Sequence, residues 1–394
     1  MITVYDLRNR QDSETYEKLE DLLGESLEII SLVDNAVSKC IGCWSCWLKT
    51  PGKCVMKDNM SSSYSNYVKS NKVILLMSTS QGFLNHNAKA FFDRTIPHYL
   101  PYIELVNGEC HHEARYDSYP DLVFYYEDND LSNQEKEVVK DYLYRTAYHF
   151  KSKPYLISND EKMAIVELTK RHPSRRNIPF SVTEKIERLI IYNGSPRRSK
   201  SNSTLILDAV HKKLGDRVLI RDLKERDKWD EWVDSFTSER DILFFMPLYV
   251  HAMPGHVMEF LEMLDESTGS ISFFVQSGFP ESSQSHYLEA YFEQLSVRLG
   301  RNYLGTAIKG GMESLRMMPE KSQNKKMEPL VFAIEKLIQS GEFDMSDIEK
   351  LAAPVSFNKI TQFLFNVIGN KIINGFWDQQ LKNNEAYNIR FERF

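Results

Sequence analysis

The sequence predicts an α/β protein built as two successive doubly wound parallel sheets of five strands each, closed by a helical tail. Two observations carry this. Short apolar runs alternate with segments of helical period along most of the 394 residues, which is the rhythm of βαβ units. The rhythm also restarts midway: KVILLMSTS (72–80) followed by AKAFFDRTI (88–96) has its counterpart in DILFFMPLY (241–249) followed by VMEFLEML (257–264), a repeat on the scale of a domain. With 42% hydrophobic and 12% aromatic residues the chain can fill two cores.

In the first half, ITVYDL (2–7), SLEIISLVD (26–34), KVILLMSTS, DLVFYYEDND (121–130) and KPYLIS (153–158) read as strands, with a helix over SNQEKEVVKDYLYRTAYHF (132–150). These make a first domain over 1–168. TKRHPSRRNIPFSVTEK (169–185), rich in Pro and Arg, reads as a solvated linker. The second domain, 186–342, starts on a strand over 189–192 and a helix from about Ser203. DRVLIRDL (216–223) is its second strand, and DILFFMP (241–247) is apolar throughout, as a buried parallel strand requires. Helix 253–264, strand ISFFVQSG (271–278), helix 285–300 and strand NYLGTAIKGG (302–311) follow. MEPLVFAIEKLIQSG (327–341) closes the domain with Gly341 at the left-handed position after the helix. The natural strand order for such a sheet is 2-1-3-4-5. In the tail, 343–394, Ile360, Phe363, Leu364, Val367, Ile368 and Ile372 recur at helical spacing, with Lys371 the one charged exception. This is an amphipathic helix expected to pack on a domain or on a second chain.

The formal net charge of −6 gives no general case for nucleic-acid binding. The start has no basic region followed by an apolar run, and no stretch approaches the roughly 18 apolar residues of a membrane span. A cytoplasmic protein is expected.

Two motifs carry chemistry. In IIYNGSPRRSKSNSTLILDAV (190–210) a strand runs through a Gly-Ser-Pro-Arg turn into a helix. A helix start offers unpaired N–H groups and a positive dipole end, which suit a phosphate. Ser195, Ser201, Asn202 and Ser203 add short polar groups, and Arg197 a planar permanent charge. Neither a GxGxxG nor a GxxxxGK[ST] pattern is present. The second motif is CIGCWSCWLKTPGKCVMKDNM (40–60), where Cys40, Cys43, Cys46 and Cys54 follow the spacing C-x2-C-x2-C-x7-C. Such spacing admits a wrapped iron–sulfur cluster, metal-free thiols, or zinc.

NGSPRRSKSNS (193–203) resembles the NGSPR…GNT loop of the NADPH-dependent FMN reductase family of flavodoxin-like flavoproteins, with Ser201, Asn202 and Ser203 standing for Gly-Asn-Thr. Pro247, Leu248, Tyr249 and Val250 are similar to that family's P-x-Y loop beside the flavin ring. Gln276, Ser277 and Gly278 occupy the place of its small turn over the ring. The resemblance implies two tandem flavodoxin-like domains. It implies one FMN in the second, with Ser195, Pro196, Arg197, Ser201, Asn202 and Ser203 at the phosphate and the other two loops around the ring. NAD(P)H would be a transient reductant, and a small molecule (quinone, free flavin, nitro or azo compound) or a redox protein the acceptor. The flavin carries the chemistry, so neither His251 nor His256 is expected to be catalytic.

The cysteine segment resembles the C-x2-C-x2-C…C-x3-D-D/N-M stretch of the same superfamily, where iron–sulfur flavoproteins hold a [4Fe–4S] cluster and other members do not. LNHNAKAFFDR (84–94) is similar to the family's Asp-Arg helix, but the first strand runs into YDLRNRQDSETYEKL (5–19), where Asp6 and Glu14 would repel a phosphate. The implied molecule is a fused, asymmetric dimer, its first domain supplying a wall of a single flavin site. The alternatives are an iron–sulfur electron carrier reduced by ferredoxin, and a non-enzymatic flavodoxin-like binding protein.

Overall fold

A computed structural model describes residues 1–10, 13–33, 37–128, 130–158, 163–169, 181–197 and 201–393. Two compact units emerge: Met1–His172 together with Asn358–Phe394, and Pro173–Phe357.

In the first unit a sheet is formed by β1 (Ile2–Leu7), β2 (Glu28–Ser31), β3 (Lys72–Met77), β8 (Asp121–Tyr126), β9 (Pro154–Ile157) and β10 (Ile165–Glu167), in the order β10-β9-β8-β3-β1-β2. The first five are mutually parallel, and β10 pairs antiparallel with β9. This corrects the expectation of five strands. The return from β9 to β10 is too short for a crossover, so it can only build a hairpin. The small pair β4 (Thr79–Ser80) and β5 (Phe83–Leu84), and the hairpin of β6 (Tyr99–Val106) and β7 (Glu109–Ala114), were likewise not foreseen. Helices α1 (Ser13–Leu23), α2 (Ser45–Leu48), α3 (Asn59–Ser62), α4 (Tyr64–Lys69), α5 (His86–Arg94) and α6 (Asn133–His149) complete it before the chain leaves. α6 starts on a reciprocal cap, Ser132 bonding the Glu135 N–H and Glu135 the Ser132 N–H.

The second unit is the more regular. β11 (Leu189–Asn193), β12 (Val218–Asp222), β13 (Asp241–Pro247), β14 (Ser270–Gln276) and β15 (Asn302–Lys309) form an all-parallel sheet in the order β12-β11-β13-β14-β15. Counted within the unit this is 2-1-3-4-5, as expected. Between the strands run α7 (Asn202–Leu214), α8 (Trp229–Phe236), α9 (Gly255–Leu261) and α10 (Tyr287–Arg298), then α11 (Glu320–Ser340) and α12 (Met345–Ala352). Ile191, Leu243, Phe245 and Phe274 from the strands meet Ile206, Leu207, Leu330 and Ile334 from α7 and α11 in one core. Gly341 ends α11 at φ 78°. A Cβ there would lie 2.1 Å from the Thr183 carbonyl oxygen, so glycine is required on two counts.

The expected linker, 169–185, lies largely outside the described residues. Its described end is bound into the second unit: Ser181 N–H donates to Tyr303 O and Thr183 N–H to Gly341 O. The expected single tail divides. α12 packs on α11 and β15 of the second unit, whereas α13 (Lys359–Leu364), a π-helical turn (Phe365–Gly369) and α14 (Asn370–Asn383) belong with the first. α14 is bound to β6 and α2: Asn374 bonds both the N–H and the C=O of Ile103, and Tyr102 donates to Asp378. Trp377 and Leu381 join Trp47, Leu48, Leu100 and Tyr102 in a small core. Ile360, Phe363, Leu364, Val367 and Ile372 remain exposed.

Candidate functional site

In the second unit, three loops leave the carboxyl ends of β11, β13 and β14, the edge where open α/β sheets bind ligands. The β11 loop is rigidly built. Gly194 N–H donates to Phe245 O, and the Asn193 side chain accepts the Ser195 N–H (3.2 Å) while donating to Thr204 (3.2 Å) and Asp222 (3.4 Å). A Cβ on Gly194 would come 2.8 Å from Val257 and 2.9 Å from Met246, so glycine lets the loop lie against β13 and α9. Ser195 is buried, and its hydroxyl accepts the Arg197 N–H at 3.4 Å. Pro196 and Arg197 are half-buried, and Arg198, Ser199 and Lys200 lie outside the described residues. Ser201 caps α7, its hydroxyl accepting the Thr204 N–H at 3.1 Å.

The side chains of Asn202 and Ser203 make bonds across to neighbouring loops. Asn202 donates its amide to Met312 O at 2.7 Å, and Ser203 accepts from Gln276 at 3.3 Å. They brace the loop against the exits of β15 and β14. Arg316 adds a second brace, its Nε donating to Ser201 O at 3.0 Å.

The β13 loop is a two-residue reversal. Tyr249 N–H donates to Ala252 O, Ala252 N–H donates to Tyr249 O, and Val250 and His251 between them both have positive φ, 38° and 61°. Left-handed backbone at a β-branched residue costs free energy that the surroundings must hold in place. The holding contacts are Leu248 N–H to Gln276 O and Tyr287 OH to His251 O. Pro247 is buried; Leu248, Tyr249 and Val250 are half-buried. In the β14 loop, Ser277 exchanges backbone bonds with Lys309 and Met312. A Cβ on Gly278 would lie 2.8 Å from Glu313 Oε2, so the Glu313 carboxylate rests on this glycine.

Glu313 and Arg316 are the residues the sequence reading missed. Glu313 Oε1 stands 3.6 Å from Arg197 Nη1. Desolvation pushes its carboxyl up to about 7, the Arg197 charge pulling the other way. Desolvation and the Arg197 charge both lower the Arg316 guanidinium, with Asp208 opposing them. Their signal in the sequence was only position, shortly after the last strand of the sheet.

In the first unit the corresponding turn holds its own anion. Asp6, at the end of β1, accepts from Arg8 Nε (2.9 Å), Arg8 Nη2 (2.8 Å), the Arg8 N–H (3.1 Å) and Tyr16 OH (2.5 Å), and Arg8 Nη1 also donates to Thr15. Asp6 and Arg8 are almost wholly buried.

Cys46 stands as a free thiol within α2, and Cys40, Cys43 and Cys54 on the loops around it, Cys43 exposed and the other three half-buried. Among the described residues no three His, Cys, Asp or Glu side chains are arranged to hold one metal ion. Burial pushes the Cys40 thiol up to about 12 and the Cys46 thiol well up, and neighbouring cysteines add to both. The spacing admits an iron–sulfur cluster, metal-free thiols or zinc, and burial of Cys40 and Cys46 favours their protonated form while no metal is bound. Below the cysteines, Arg94 grips Asp58 with both guanidinium nitrogens and donates to Ser61 at 2.8 Å, while Asp58 accepts the Ser38 N–H.

No family model matches the sequence, and no curated protein matches it. Solved structures that match include a NADPH-quinone reductase from P. pentosaceus, at 13% identity and TM-score 0.30, over 38% of this chain and 96% of that one. Another is an FMN-dependent NADH-azoreductase from Bacillus anthracis in complex with FMN, at 13% identity and TM-score 0.29, over 39% and 99%. A third is the Trp repressor binding protein from Bacillus subtilis, at 14% identity and TM-score 0.26, over 32% and 85%.

Proposed function

We propose that the second unit binds one FMN and that the protein is an NAD(P)H-dependent oxidoreductase passing electrons to a small-molecule acceptor. The observation that carries this is the β11 turn. A glycine pressed on β13, an Asx-type turn at Asn193 and a serine-capped helix stand at the carboxyl end of the first strand, β11, of a 2-1-3-4-5 sheet. In that reading Ser195, Pro196 and Arg197, with the N–H groups at the start of α7, hold the phosphate. Pro247 to Val250 and Gln276 to Gly278 flank the ring. FMN, when bound, supplies the two-electron carrier between nicotinamide and acceptor.

The chain's own work is positioning. Asn202, Ser203 and Arg316 fix the phosphate loop to its neighbours, and the reversal at Val250 and His251 presents a short, rigid stretch of backbone. His251 and His256 are buried parts of that scaffold. The first unit, read as a second copy of the fold, keeps no flavin, because Asp6 already occupies the charge of Arg8.

The test is an absorption spectrum of protein purified anaerobically, with flavin counted per chain and NADH or NADPH then added. One flavin per chain, bleached by a pyridine nucleotide, is expected. Two flavins would overturn the reading of the first unit. Failure to bind added FMN would overturn the whole, and bleaching by reduced ferredoxin alone would make the protein an electron carrier.

A further inference from the structure

The exit of β15 sets an acid beside the β11 loop, where a phosphate reader would ordinarily have none. Glu313 leaves the exit of β15, its carboxylate resting on Gly278 and facing the guanidinium of Arg197 at 3.6 Å. Its backbone is held in place, since the Asn202 amide donates to the carbonyls of both Met312 (2.7 Å) and Glu313 (3.4 Å). The carboxylate is therefore a fixed part of the loop's electrostatics. Two negative groups cannot share one guanidinium in a half-buried cleft at low cost.

We propose that Glu313 is a specificity residue of the phosphate end: it competes with the phosphate for Arg197, so that the site takes up a phosphate-bearing flavin together with one proton. This rests on the flavin reading of the second unit. Desolvation already brings the Glu313 carboxyl up to about 7, so the proton it gains comes within the range where a cell regulates pH. A phosphate dianion beside it raises the carboxyl further.

The other charges of this corner leave the competition in place. Arg316, on the turn after β15, spends its Nε on the Ser201 carbonyl, and Asp208 of α7 partly answers its charge. Lys326 of α11 has its Nζ 3.9 Å from where a Cβ of Gly311 would stand, and Lys309 of β15 donates to Leu351 O. Among the described residues, Arg197 is the cation paired with Glu313.

The sign follows from linkage. A group whose pKa rises on binding takes up a proton, so affinity is full below the free pKa and falls as pH rises through it, by about tenfold per pH unit for one proton. Discrimination follows too. Riboflavin, which has no phosphate, does not compete with Glu313, so the site favours FMN over riboflavin most strongly in acid.

Binding of FMN and of riboflavin to the full chain and to Glu313→Gln, followed by quenching of flavin fluorescence from pH 6 to 9, tests this. The ratio of the two proteins' FMN affinities cancels the titration of the cofactor's own phosphate. It should stay near unity at pH 6 and rise at least tenfold in favour of Glu313→Gln by pH 8.5, with no such rise for riboflavin. A ratio that is flat across the range, with FMN bound by both proteins, overturns the proposal and leaves the flavin reading standing. Absence of FMN binding at every pH overturns both. Calorimetry on the unaltered protein at pH 8, in two buffers of different ionisation enthalpy, gives a second readout: about one proton taken up per FMN supports the proposal, and none sinks it.

Discussion

Arg8 lies along the carboxylate of Asp6 with Nε at 2.9 Å and Nη2 at 2.8 Å, both side chains almost wholly buried at the end of the first strand. An internal ion pair thus fills the turn at the end of β1, whereas under the proposed flavin reading the turn at the end of β11 would take a phosphate. Breaking such a pair from one side leaves an uncompensated buried charge, at a cost of about 3–5 kcal/mol. Arg8→Met should therefore destabilise the first unit by about that amount in urea unfolding, with Asp6→Asn/Arg8→Met losing less than the sum of the singles. Flavin bound per chain should stay unchanged in both.

The reversal at Val250 stores strain that glycine would release. Left-handed backbone at such a residue costs about 1–3 kcal/mol, and a glycine returns part of this through its larger unfolded-state entropy. Val250→Gly should raise stability by about 1 kcal/mol while weakening flavin binding, because the loop loses its stiffness. Denaturant midpoints and a flavin titration on the same preparation measure both effects. A loss of stability would show that the reversal is not strained.

Asp58 gives the first unit an acid-sensitive joint. Its hydrogen bonds to Arg94 and the Ser38 N–H, with the Arg94 charge, outweigh desolvation and hold its carboxyl well below the usual carboxylate range. A folded-state pKa below the unfolded one contributes stability that is complete above the unfolded value, near 4, and is lost as pH falls toward the folded one. The stability difference between the parent and Asp58→Asn should accordingly be constant from pH 7 to about 5 and shrink below about 4. Urea unfolding at a series of pH values reads it directly, and a difference that grows in acid would reverse the sign.

Trp377 of α14 meets Trp44 and Trp47 edge-on, with centroids 5.3 and 5.5 Å away, and Cys46 is packed against the same cluster. Removing the indole should cost about 3–5 kcal/mol. Trp377→Ala should also speed alkylation of Cys46 by iodoacetamide, followed by mass spectrometry, while Cys110, buried elsewhere, is unaffected. Equal Cys46 rates in both proteins would mean that α14 does not shield that thiol.

The second sheet was legible because β11, β13, β14 and β15 are apolar enough to be buried along most of their length, and each turn carries its own local signal. Ser201 caps the Thr204 N–H, and Gly194 and Gly341 mark their turns by residue type, although the contacts that require a glycine there come from Met246, Val257 and Thr183, far along the chain. What was not legible depends on distance along the chain. The Asn202 amide donates to the carbonyl of Met312, 110 residues later, and no local pattern reports that partner. Glu313 is one acid among 55 acidic residues, marked out only once β15 brings it beside Arg197. The tail's helical period was plain, but of the stripe it describes Ile360, Phe363, Leu364, Val367 and Ile372 stay exposed. The contacts are made instead by Asn374, Trp377 and Asp378, on a stretch whose polar residues hid its packing face.

The division of the chain has a consequence for how the protein is made. Asn358–Phe394 completes a unit whose other residues end at His172, so the whole second unit is translated between the two parts. At about 5–20 residues per second, the first unit waits on the order of 10–40 seconds for its last helix. The second unit is the first to emerge as a whole, whereas the surface at Trp44 and Trp47 stays uncovered until α14 has been made. Nascent chains stalled just before Trp377 should therefore be the ones that engage chaperones, through that aromatic surface.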